Sequence, residues 1–126
     1  MLLALDIGTK KTGAALADRS SGVIIALDTI HHISTDDLVS KIHLLVQEKH
    51  IDEFAVGNPL LLSGEAGSQA KYVQTIIERF KKEFPSPLLV LDERFTSFST
   101  VPCEDPDAMA ACTLAELALQ RPKESV

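Results

Sequence analysis

The sequence predicts an α/β fold on a mixed five-stranded sheet, an antiparallel meander followed by parallel strands, with helices on both faces. Three observations lead there. The first thirty residues hold three short apolar runs separated by polar turns. From Leu38 the apolar spacing changes from that of a strand to that of a helix. After that, strand-like and helix-like segments alternate, as they do where helices cross between parallel strands.

Residues 2–6 form an apolar run that reads as a buried strand. Gly8, Thr9 and Lys10 supply turn chemistry before a second apolar segment at 13–17, so the two make a hairpin. A polar turn at 18–22 leads to the β-branched run 23–27, the third strand. Leu38, Ile42, Leu45 and Val46 recur at helical spacing, and Ser34 with Asp37 resembles a capping box at the start of that helix. Phe54, Ala55 and Val56 form a fourth strand that ends at Gly57-Asn58-Pro59. The loop 63–68 enters a second amphipathic helix, with Ala70, Val73, Ile76, Ile77, Phe80 and Phe84 on one stripe and Pro85 and Pro87 beyond it. Leu88 to Leu91 is continuously apolar, as in a strand covered on both faces, and delivers Asp92-Glu93-Arg94 at its end. The last helix begins near Pro106, a residue suited to the first helical position, and runs to about Gln120.

A chain of 126 residues, 45% hydrophobic and 24% charged, is expected to be one domain over residues 1–126 and to hold a core without disulfides. The spacing of Cys103 and Cys112 matches neither a disulfide framework nor a zinc pattern, so both read as reduced thiols of a cytoplasmic protein. No stretch approaches the ~20 apolar residues of a membrane helix, and no membrane partner is expected. The net charge of -6 argues against binding nucleic acid by bulk electrostatics alone.

Three acids lie where this topology can bring them together: Asp6 after the first strand, Glu93 after the last and Asp107 in the first turn of the final helix. Carboxylates are the preferred ligands of Mg²⁺ and Mn²⁺, and two such ions ~3.5–4 Å apart stabilise the attacking and leaving oxygens of phosphodiester cleavage. Each acid also has a plainer reading, since a helix dipole favours an aspartate in its first turn and a strand can end on one. Asp92 and Glu93 point to opposite faces of a continuing strand, so only one of them can aim at Asp6; Glu93 is taken as the third ligand, with Asp92 as its substitute. Clustered carboxylates should repel one another without metal.

Four segments then occur in order: Asp6-Ile7-Gly8-Thr9-Lys10-Lys11-Thr12-Gly13, Val56-Gly57-Asn58-Pro59-Leu60 with Gly64 to Gln69, Leu91 to Ser97, and Asp107 to Ala111. In this order they resemble the YqgF/RuvX family of Holliday junction resolvase-like proteins and pre-16S rRNA nucleases. The resemblance implies an RNase H-like fold and a metal-dependent endonuclease that acts in 5′-end maturation of 16S rRNA precursor. It makes Asp6, Glu93 and Asp107 the catalytic metal ligands for Mg²⁺ or Mn²⁺. Gly8 would let the backbone turn beside the scissile phosphate. Lys10, Lys11 and Arg94 would contact backbone phosphates, and Thr96 and Ser97 would donate to one. The implied partner is structured RNA, pre-16S rRNA or a pre-ribosome, with branched DNA as the alternative, and the protein is expected to be a monomer or weak homodimer.

The chain departs from that pattern at two places. Lys10-Lys11 stands where the family usually has Lys-Arg, and only Phe98 to Pro106 separate Ser97 from Asp107 where the family typically has a helix and a basic connector. Two alternatives therefore stay open: a non-catalytic nucleic-acid-binding or regulatory protein on the same fold, and a Holliday junction resolvase. None of the four histidines has metal-ligand spacing, and all read as surface residues. Cys112 reads as helix core.

Overall fold

The computed structural model describes residues 1–58, 68–92 and 105–121. Strands β1 (Leu2–Ile7), β2 (Lys11–Ala17) and β3 (Ile24–Ala26) form the expected antiparallel meander, with Asp6 opposite Gly13 across the first hairpin. Strand β4 (Ile30–His31) is an addition to the five strands expected. It pairs with the start of β2, Lys11 with His31 and Thr12 with Ile30, beyond the point where β3 ends. Helix α1 (Thr35–Lys49) follows, then β5 (Glu53–Asn58), α2 (Ser68–Glu83), β6 (Leu88–Asp92) and α3 (Pro106–Leu119). The sheet order is β3-β2-β1-β5-β6, with β5 parallel to β1 and β6 parallel to β5.

Strand alternation sends β1 into two cores. Leu3, Leu5 and Ile7 join Phe54 and Val56 beneath α1 and α2, which contribute Leu38, Val39 and Ile42 and then Val73, Ile76, Ile77 and Phe80. Leu2 and Ala4 join Ala15, Ala17 and Ala55 beneath α3, which contributes Ala111, Cys112, Leu114, Ala115 and Ala118. Small side chains on both sides bring α3 close to the sheet. A methyl group on Gly13 would lie only 2.0 Å from the Asp107 carbonyl oxygen.

The helix ends follow their sequence signals. The Ser34 hydroxyl accepts from the Asp37 N–H at 3.1 Å, and the Asp37 carboxylate takes the Ile33 N–H at 3.0 Å. Asp105 is the N-cap of α3, accepting from the Asp107 N–H, with Pro106 at the first position. Among the described residues no helix is long and apolar enough to cross a membrane.

Two expectations need correction. The covering of Leu88 to Leu91 on both faces holds only in part: Leu88 packs against the core beneath α1 and α2 and Leu89 and Leu91 against that of α3, but Val90 is exposed. His32 is not a surface residue. It is buried against β2, where its Nε2 lies 2.8 Å from the Thr12 hydroxyl.

Candidate metal and nucleic-acid site

Asp6 lies on the α3 face of β1, the face that Leu2 and Ala4 share by strand alternation, and near the carboxyl end of the central strand. Open α/β sheets bind ligands at that end. Asp107 reaches the same place from above, because the first turn of α3 rests on Gly13, the cross-strand partner of Asp6. Residues 6–11 and Asp107 line one open cavity of about 370 Å³. Two of the three expected acids are thus brought together from a strand and a helix far apart in sequence.

Lys11 also faces this cavity, and its Nζ lies 3.0 Å from Asp107 Oδ2, both side chains partly exposed. The Asp107 carboxylate lifts the Lys11 amine above its ordinary value, first as hydrogen-bond acceptor and then by charge, with a further contribution from Asp105. The expected repulsion among the acids is therefore moderated by a cation from the chain itself. Lys10 is exposed on the lip of the same cavity.

Gly8 is needed for space rather than for an unusual φ. A methyl group there would lie 2.4 Å from the Lys11 carbonyl oxygen, so the hairpin's own backbone fills that room. Thr9 lines the cavity too, although the sequence marked it only as turn chemistry.

Asp105 is a supporting residue outside the set that the sequence singles out. Its carboxylate receives the Thr29 hydroxyl at 2.5 Å and the Asp107 N–H at 3.0 Å, and these two bonds, the hydroxyl first, hold it below the usual carboxylate range. They fix where α3 starts and hence where Asp107 stands. The signal was present as an aspartate directly before a proline at a helix start. Glu93, Arg94, Thr96 and Ser97 lie outside the described residues, as do the loop 59–67 and Cys103. Cys112 is buried in the α3 core, as expected.

The mixed sheet β3-β2-β1-β5-β6, with α1 and α2 on one face and α3 on the other, has the fold of the RNase H-like class of α/β proteins. The same fold is seen in RuvC of T. thermophilus, solved in complex with a Holliday junction substrate, with a TM-score of 0.62 over 94% of this chain and 92% of that one at 9% identity. The model of the RuvX family, described as Holliday junction resolvase, matches residues 1–103, and the chain belongs to that family. Two curated relatives are each named "Putative pre-16S rRNA nuclease". The protein of Synechocystis sp. is 37% identical over 95 residues, 75% of this chain and 62% of that protein. The protein of Chloroflexus aurantiacus is 34% identical over 97 residues, 77% of this chain and 63% of that protein. The chain thus spans a little over three-fifths of the length of these relatives. The family match stops short of Asp107, so the position of that acid beside Asp6 rests on the geometry.

Proposed function

We propose that the protein is a Mg²⁺- or Mn²⁺-dependent endonuclease that hydrolyses phosphodiester bonds of structured RNA, with the 5′ leader of 16S rRNA precursor as its substrate. The observation that carries this reading is the meeting of Asp6 and Asp107 on one open cavity whose lip holds Lys10 and Lys11. The names of the relatives support the choice of RNA.

The donor set suits a hard divalent cation. Both groups are carboxylates, they are only half-buried, and the cavity is open to the waters that Mg²⁺ keeps. Among the described residues no group of three or more acids, histidines or cysteines gathers, so a third protein ligand must come from elsewhere. We assign it to Glu93. Leu89 and Leu91 pack toward the α3 core, and Glu93 follows Leu91 by two residues.

A bound divalent ion supplies charge to the phosphate and lowers the pKa of a water near it. The chain's own part is to hold that ion through Asp6, Glu93 and Asp107 and to place the substrate. Lys10 and Lys11 take phosphates flanking the cut, and Arg94 holds one by its fork of donors, assisted by the hydroxyls of Thr96 and Ser97. Gly8 keeps the hairpin tight enough for the backbone to approach the strand.

Incubating the protein with a pre-16S leader RNA, with and without Mn²⁺, tests the assignment. Metal-dependent cleavage is expected, lost by about 100-fold or more in Asp6→Asn and Asp107→Asn. Cleavage of a four-way DNA junction in preference to the leader moves the assignment to a resolvase. Binding without cleavage under every divalent ion makes the protein a non-catalytic member of the fold.

A further inference from the structure

Lys11 places its ammonium on the carboxylate that the metal needs. It lies 3.0 Å from Asp107 Oδ2, and 57% of its side chain is exposed against 30% for Asp107. Asp105 is occupied by the Thr29 hydroxyl and the Asp107 N–H, which leaves Asp107 as the acid of the α3 start that faces the cavity. We propose that Lys11 is a placeholder cation on Asp107 that an incoming divalent ion displaces, after which the released ammonium takes an RNA phosphate.

The inference deepens the nuclease reading and rests on it. A divalent ion sits about 2.0–2.2 Å from a carboxylate oxygen. An ammonium held on that same oxygen would then lie within about 5 Å of two positive charges, so the two cations exclude one another at Asp107. Leaving is inexpensive for Lys11, since an exposed ion pair is weak and its four-carbon stem is flexible. Because Lys11 stands at the start of β2, beside the hairpin tip, it stays at the lip of the cavity when it leaves Asp107. Metal loading then exposes a phosphate-binding charge, and by linkage RNA that holds Lys11 away from Asp107 favours metal binding.

Calorimetric titration of Mn²⁺ into the protein without RNA is the first arm of the test. Lys11→Met and Lys11→Gln are expected to bind Mn²⁺ about 2- to 5-fold more tightly than wild type, the worth of an exposed ion pair. Lys10→Met, which removes the same charge from the same hairpin, is expected to move the affinity by less than half as much. The second arm reads a fluorescent structured RNA by stopped-flow anisotropy, ahead of any cleavage. Mn²⁺ is expected to strengthen RNA binding by a larger factor in wild type than in either Lys11 variant. If wild type binds Mn²⁺ and the Lys11 variants bind it equally or more weakly, the pair is a fixed link between β2 and α3 and the placeholder role is overturned. If wild type binds no Mn²⁺, the metal-site reading itself fails and this inference falls with it.

Discussion

Gly13 stands opposite Asp6 across the hairpin and directly beneath the first turn of α3, with room for hydrogen only. Gly13→Ala must push the helix start away from the sheet, because the obstacle is backbone. It is expected to cost about 1–3 kcal/mol of stability and to weaken the rise in melting temperature expected of wild type with Mn²⁺, since Asp107 moves off Asp6. Gly22→Ala makes a useful comparison, for its φ of +76° is strained for alanine but its surroundings are open. Chemical denaturation of both variants, each with and without Mn²⁺, measures the difference. A metal response preserved in Gly13→Ala would show that the two acids do not act together. His32 sets a different single-residue expectation. Burial holds its ring below the ordinary 6.5, with Lys41 and His31 pushing the same way and Asp37 opposing. Between the lowered folded value and 6.5 the unfolded chain binds more protons, so stability rises with pH through this window. The His32 contribution is complete above about 6.5 and is lost as pH falls through the folded value. Asp37, Glu83 and Asp105 are held below their own ordinary values of 3.8, 4.5 and 3.8, so their losses come at more acid pH. The melting temperature is therefore expected to drop from pH 7 to pH 5 in wild type and to drop less in His32→Gln.

At the scale of elements, Arg19 links three of them. From the turn after β2 it makes paired bonds of 2.7 and 2.6 Å to buried Glu53 at the start of β5, and it also donates to the Arg121 carbonyl just past α3. Removing the arginine leaves Glu53 buried and without that fork. Arg19→Met is expected to cost about 2 kcal/mol, less than a fully buried pair because Arg19 is partly exposed. The double variant Arg19→Met/Glu53→Gln should regain more than half of it, which urea denaturation would show. With Gly13 and Asp107 at one end and Arg19 and Arg121 at the other, these contacts run α3 antiparallel to β1. The strands and helices were legible because their periods are local: 2–6, 13–17 and 54–56 fall inside β1, β2 and β5, and the Ser34 and Pro106 signals mark real helix starts. Strand β4 was not legible, since two residues carry no period and only pairing with Lys11 and Thr12 makes them a strand. An apolar run such as Leu88 to Leu91 does not reveal how far along each face its strand is covered, and Val90 is exposed. Within the site, Asp6 and Asp107 were legible as a strand end and a first helical turn. The Lys11 pairing and the inward side of His32 depend on which element lies across β2, and no local pattern carries that.

For the whole molecule, the net charge of -6 and the proposed nucleic-acid substrate pull in opposite directions. Among the described residues some cations are paired internally away from the cavity: Arg19 with Glu53, Lys41 with Asp37, and Arg79 with Asp36 and Glu83. Lys10 and Lys11 are different in kind, because they stand at the cavity that collects Asp6 and Asp107. A hold on RNA through these two lysines and Arg94 amounts to about three phosphates. For duplex RNA that gives a slope of about -2 to -3 in a plot of log affinity against log salt, taking the B-DNA value of ~0.9 per neutralised phosphate. Lys10→Ala and Lys11→Ala should each reduce the slope by about one, whereas Lys49→Ala, on the far end of α1, should leave it unchanged. Anisotropy titrations of a structured RNA across a range of salt, at fixed Mn²⁺, supply the slope. A value near -6 that neither hairpin substitution alters would place the RNA on some other surface, and the cavity would then lose its claim as the nucleic-acid site. A shallow slope that falls stepwise with each lysine would reconcile an acidic protein with RNA, since three well-placed cations and a metal ion would then carry the binding.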